Sequence, residues 1–249
     1  MGWFQRNRIP APDPGEIDAV VAVDVALAAN LVGDRAEQHR AVTSSLIATK
    51  RWEAVRGFEL TPAMVITVAA NAAIPVLDLD LWLYRNVHWI VLRPSTVPSG
   101  GLRSGPSPGV VSDEPIEATG QAMAASGPIS IAWDTALADS RSPGVGRNVI
   151  IHEFAHKLDM SDGYSDGVPP LRGQSLARWR DVLADEFGHQ EARASDDVLR
   201  PYAWTNPAEF FAVASEAFFC TPTALREAKP VLHRALVEFY GQDPGRERR

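Results

Sequence analysis

The chain has 249 residues, 45% hydrophobic and 22% charged, with a net charge of −7. That balance suits a globular protein able to bury a core without covalent staples, and it speaks against nucleic acid as a partner, since no basic stripe stands out. The single cysteine, Cys220, cannot form an internal disulfide, and no run approaches the roughly 20 apolar residues of a membrane span, so a cytoplasmic protein with no membrane partner is expected.

Residues 1–16 carry Pro and Arg and read as a flexible N-terminus, 17–244 as one domain, and 245–249 as a flexible tail. The apolar run "AVVAVDVALAANLV" (19–32) follows Arg6 and Arg8. Asp13, Glu16 and Asp18 intervene and Asp24 interrupts it, so it is not a signal peptide; a buried helix over about 17–32 is predicted. A second helix follows over 35–51, then a short strand or turn around Gly57. Thr61 and Pro62 announce a third helix. "VHWIVLR" (87–93) reads as a strand. The tract "PSTVPSGGLRSGPSPG" opens a Pro/Gly/Ser-rich region, 94–127, that reads as a mobile loop gating access to a cleft. "PISIAWD" (128–134) alternates apolar and polar and reads as a second strand, with an edge that could bind substrate backbone.

The second half is helical. Helices are predicted near 145–159, over 175–193, over 206–220 from Asn206 and Pro207, and over 230–244, ending at Gly241 and Pro244. There are no internal repeats. The fold class is therefore α+β: a small mixed sheet, one helix carrying the chemistry, and a mostly helical C-terminal half.

That helix contains "VIIHEFAHKLDM" (149–160). His152 and His156, four apart, lie on one helical face, where two imidazoles can hold a single tetrahedral ion; Glu153 points about 100° around the helix, able to bond a water without ligating the metal. The bland alternative is a buried helix with two structural histidines. Val149, Ile150, Ile151, Phe154, Ala155 and Leu158 weigh against it, because neutral buried imidazoles need partners for every ring nitrogen and one metal satisfies two of them.

A third ligand is needed. A metzincin histidine would fall at position 162, which is Asp162. His39, His88, His189 and His233 each stand alone and read as ordinary surface or half-buried histidines. Glu209 and Glu216, seven apart on an otherwise apolar helix, are better candidates. Glu209 could instead close a capping box with Asn206, and Glu216 could lie on a solvated face; spacing alone leaves the choice open.

The tracts "HEFAHKLD", "GVPP", "YAWTNPAEFFAVASEAFF" and "FYGQDP", with "GFEL" (57–60) and "IPVLDL" (74–79), resemble the Mlc titration factor A family of bacterial zinc metallopeptidases over roughly 45–244. The spacing Y-x6-E-F-F-A also resembles the catalytic domain of anthrax lethal factor. The resemblance implies a zincin-like fold in which His152, His156 and Glu209 hold Zn2+, Glu153 is the general base, and Glu216 supports the site from outside. It places Tyr202 near the scissile carbonyl, as an oxyanion donor. It further implies a peptide or protein substrate, aminopeptidase-like activity on small residues, and possible binding of a transcription repressor of sugar uptake. Two departures stand out: the "GVVSDE" tract has Ser112 where some relatives carry a loop histidine, and no G-x-M-E-N tract is present to anchor a free amino terminus. Asp159, three residues after His156, is placed either to orient a ligand imidazole or simply to end the helix.

Overall fold

The computed structural model describes residues 10, 12–55, 57–95, 127–188 and 198–246. Most of the 94–127 region, including Ser112, lies outside the described residues, as does His189. The chain divides into two compact units, Met1–Leu77 with Val87–Ser142 and Asp78–Asn86 with Pro143–Arg249.

In the first unit, α1 (Pro14–Asp24) starts inside the segment expected to be loose. Asp13 caps it, accepting from Gly15 N at 2.8 Å while its own N–H donates to Glu16 Oε2 at 3.2 Å. The helix stops at Asp24, well short of residue 32, and only Ile17 of its residues is buried. Two of its carboxylates are held by ion pairs, Asp18 with Arg40 and Asp24 with Arg141. Helix α2 (Gly33–Thr49) buries His39, Thr43, Leu46 and Ile47, the spacing of one helical face. His39 is thus a core residue, its Nε2 2.8 Å from the Ala70 carbonyl.

Strand β1 (Arg51–Ala54) precedes helix α3 (Pro62–Ala73), where the Thr61 side chain accepts from Met64 N at 3.3 Å. Strands β2 (Trp89–Arg93) and β3 (Ile129–Ala132) complete a sheet in the order β1-β2-β3. Among the described residues the sheet is entirely parallel, with Trp52 opposite Ile90 and Leu92 opposite Ile131, and not mixed as predicted. Each pair of strands is separated by far more than the dozen residues a parallel crossover needs, so both connections can return the chain in the same direction. β3 ends at Ala132 because α4 (Trp133–Arg141), which the alternation concealed, begins at the next residue.

In the second unit, α5 (Val149–Asp159) carries the histidine motif, followed by α6 (Gly173–Gly188), α7 (Pro207–Cys220), α8 (Pro222–Ala228) and α9 (Pro230–Tyr240). Every residue of α7 after Pro207 is buried. Its aromatic side chains explain how: Phe211 meets Trp179 of α6 edge-on at 5.6 Å, Phe218 and Phe219 pack on Tyr240 of α9, and Phe210 meets Trp204 at 5.4 Å. Such pairs each add about 0.5–1.5 kcal/mol beyond burial itself. α7 is the axle of this unit, and α5 packs along it.

Candidate active site

Helix α5 is fixed at both ends. Asn148 caps its start, accepting from Ile150 N at 3.1 Å and Ile151 N at 3.2 Å. Its back is braced by the segment before β2: Tyr84 meets Phe154 edge-on at 5.0 Å, and Asn86 Nδ2 donates to the Lys157 carbonyl at 2.8 Å. Ile150, Ile151, Phe154, Ala155 and Leu158 are fully buried, so the rotation of the helix is set by packing.

That rotation turns His152 and His156 toward α7. Their Nε2 atoms lie 3.2 Å apart, with the rings nearly perpendicular at 83°. Glu209 Oε2, from the first turn of α7, lies 3.2 Å from His152 Nε2 and 3.4 Å from His156 Nε2. Three ligand atoms thus form a near-equilateral triangle in which His152 and Glu209 are buried. Bonds of about 2.0–2.1 Å to one tetrahedral ion would separate its ligand atoms by about 3.3–3.4 Å, so two imidazoles and one carboxylate at these spacings fit a zinc-type ion. Glu209 does not close a capping box: the Asn206 side chain accepts from its backbone N–H at 3.0 Å, while its carboxylate faces the histidines. Burial would raise its pKa, but hydrogen bonds to the two imidazoles outweigh this and hold it well below the usual carboxylate range.

Glu216 occupies the other side of His152. It is completely buried, with no solvated face. Its Oε1 accepts from His152 Nδ1 at 2.7 Å and from Arg200 Nη2, and its Oε2 accepts the Asn148 backbone N–H at 2.7 Å. Three donors therefore satisfy a charge that could not otherwise be buried. Because Nδ1 donates outward, the Nε2 lone pair of a neutral His152 points at the triangle. Without a bound cation, burial would lower the His152 pKa, yet Glu216, Glu209 and Glu153 raise it to about 10: the pocket favours positive charge at this point.

Glu153 has a buried Oε1 without a hydrogen-bond partner, and burial raises its pKa against the pull of His152 and His156. Tyr202, on the single helical turn Pro201–Trp204, has its ring centre 6.2 Å from that of His152. Asp159 makes no hydrogen bond to His156. Its Oδ2 accepts from Gly167 N at 3.1 Å, while Asp159 Oδ1 and His156 Nδ1 are both buried without hydrogen-bond partners.

Gly167, in the "GVPP" tract, joins this network to α7. Its carbonyl accepts from Trp179 Nε1 at 2.7 Å, and its φ is +72°. A Cβ there would come within 2.1 Å of the Pro207 carbonyl oxygen, so the close approach and the backbone conformation both require glycine. The contact fixes the first turn of α7 two residues before Glu209.

The structure therefore brings His152, Glu153, His156, Tyr202, Glu209 and Glu216 together. Sequence reasoning missed Arg200, Asn148 and Gly167. The need for a cation beside a buried Glu216 was readable, but nothing in "LRPYAW" marks Arg200 as its source.

Comparison with known proteins places the chain in a peptidase family. The model of the family described as glucose-regulated metallo-peptidase M90 matches residues 2–241. An uncharacterised protein of Synechocystis is 29% identical over 248 residues, covering 98% of this chain and 90% of that protein. Mlc titration factor A of Yersinia enterocolitica is 32% identical, covering 90% of this chain and 84% of its own length, and that of Yersinia pestis is 33% identical over 239 residues. The chain belongs to the M90 family of glucose-regulated metallo-peptidases.

Proposed function

We propose that this chain is a zinc-dependent peptidase whose site is of the gluzincin type, with His152, His156 and Glu209 as the metal ligands. The observation that carries the reading is the triangle of 3.2–3.4 Å between two inward-facing imidazole nitrogens and one carboxylate oxygen. When bound there, zinc supplies Lewis acidity, polarising a peptide carbonyl and lowering the pKa of water toward about 7.

The chain's own groups supply the rest. Glu153, its Oε1 free of hydrogen bonds, accepts a proton from the attacking water and returns it to the leaving amine. Glu216 holds His152 as the Nδ1–H tautomer, and Arg200 donates to the same Glu216 oxygen and so fixes the position of that carboxylate. Tyr202 donates its hydroxyl to the oxyanion of the tetrahedral intermediate. Aminopeptidase-like activity on small residues rests on family resemblance. Zinc content and hydrolysis of aminoacyl chromogenic substrates, with and without chelator, test the reading. About one zinc per chain with chelator-sensitive turnover supports it, and zinc-loaded protein inert toward both aminoacyl and longer peptide substrates counts against it.

A second reading is regulatory. Relatives carry the name Mlc titration factor A, which points to Mlc, a transcription repressor, as a partner. Under this reading the chain binds such a repressor and peptidase activity is secondary. The Glu153→Gln variant separates the two, since it should abolish turnover and leave repressor binding unchanged.

A further inference from the structure

On α7, Phe218 stands two residues beyond Glu216 and so faces roughly the opposite side of the helix from the metal-site carboxylates. There it packs against His233 of α9, with ring centres 5.4 Å apart. His233 lines an open cavity of about 890 Å³ bordered by α8, α9 and the segment after Gly241. Arg226, Arg234 and Arg246 line the same cavity, and among the described residues Asp243 is its one carboxylate.

Three features give this cavity a chemistry. Among the described residues, three guanidinium groups against one carboxylate make it cationic in a chain whose net charge is −7. Guanidinium groups are matched to oxyanions, and several around one concavity add their fields. The His233 side chain is only 6% exposed, yet its Nε2 has no hydrogen-bond partner; the nearest carboxylate oxygen, Asp243 Oδ1, is 3.7 Å away. A buried imidazole nitrogen left in this way is a polar atom awaiting a ligand. Finally, Gly245 has no side chain where a Cβ would stand 3.2 Å from Arg226 Nη1, which keeps space open around that guanidinium.

We propose that this cavity is a second binding site, for a phosphate group, free or carried on a small ester, held by Arg226, Arg234 and Arg246 with His233 Nε2–H as a further donor. The site lies on the far side of α7 from the histidine motif and does not depend on the peptidase reading.

Isothermal titration calorimetry at low ionic strength tests it, with inorganic phosphate and glycerol 3-phosphate as separate probes. At least one probe should bind 1:1 with submillimolar affinity, and the tighter of the two identifies the free ion or the ester as ligand. Arg226→Gln and Arg234→Gln should each weaken binding by about tenfold or more, the scale of a lost charged hydrogen bond. Arg246, whose side chain is 83% exposed, supplies a variant, Arg246→Gln, that cannot disturb the core and should weaken binding in the same direction. The His156→Ala chain should bind the probe as wild type does. Failure of both probes to bind at 10 mM, unchanged binding in all three arginine variants, or loss of binding in His156→Ala, which would place the anion at the metal site, overturns the proposal.

Discussion

Helices α3 and α7 begin alike and end up serving different purposes. Each opens on a capping side chain followed by proline, Thr61–Pro62 and Asn206–Pro207, and each is buried almost all the way round. The difference is in the polar groups they bury. In α3 these are Thr67 and Asn71, both neutral: Thr67 Oγ1 donates to the Ala63 carbonyl one turn back, and Asn71 Nδ2 donates to the Thr67 carbonyl and to Ser140 Oγ. In α7 two of them are carboxylates, Glu209 and Glu216, which take partners from distant parts of the chain. A neutral buried group can be satisfied by the helix that carries it, whereas a buried charge must recruit partners. The neutral groups of α3 lean largely on their own helix, with Ser140 as one distant partner, whereas the carboxylates of α7 draw on groups far along the chain.

The sharpest way to break this contrast is to alter the charged set. Glu153→Gln should retain zinc and lose about 10²–10⁴-fold in turnover, because only the proton transfer is removed. His156→Ala should lose both metal and activity. Metal analysis alongside steady-state kinetics checks the pair, and a fully active Glu153→Gln would rule out peptidase chemistry through this motif.

Glu216→Ala comes next. It leaves Arg200, His152 Nδ1 and the Asn148 N–H without their acceptor. Losing one partner of a buried ion pair costs about 3–5 kcal/mol, and losing the group that orients a ligand histidine weakens metal binding by about 10–100-fold. Denaturant unfolding and competitive zinc titration should both register the change. A variant that loses stability but keeps wild-type zinc affinity would show that Glu216 is structural only.

Asn71→Ala is the matched change in α3. It leaves the Thr67 carbonyl and Ser140 Oγ with one donor fewer, at a cost of about 1–3 kcal/mol, while specific activity of the remaining folded protein should not change. A large effect on turnover here would erase the distinction between scaffold and site.

The smallest expected effect concerns pH. Burial lowers the His39 pKa in the folded chain, against the pull of its bond to the Ala70 carbonyl. The folded state therefore binds this proton less readily than the unfolded one. The associated stability is fully present above the unfolded value of 6.5 and declines as pH falls below it, by at most about 1.4 kcal/mol per pH unit. His39→Gln should lose less stability than wild type between pH 7.5 and pH 5.5 in parallel denaturant titrations. Equal losses would show that His39 does not carry the acid sensitivity.

What the sequence determined by itself was local. Caps at Thr61 and Asn206, the stop at Gly241 and the i, i+4 histidines are statements about neighbours within one or two helical turns, and the structure places them as read. Failures came where local pattern met distant partners. The 19–32 run looked buried because its hydrophobicity was legible, while the pairing of Asp18 with Arg40 and Asp24 with Arg141 was not. "PISIAWD" showed an alternation but not that α4 takes over at Trp133. In the site, residue spacing narrowed the carboxylates to Glu209 and Glu216, and family resemblance favoured Glu209 as ligand. Only tertiary packing set Glu209 against the Nε2 atoms and Glu216 against Nδ1. The two residues share one face of α7, so their identical side chains are distinguished by what α5 and Arg200 present to each. That depends on the rotation of α5 and on the approach of Gly167 to Pro207, and neither leaves a periodic trace in the sequence.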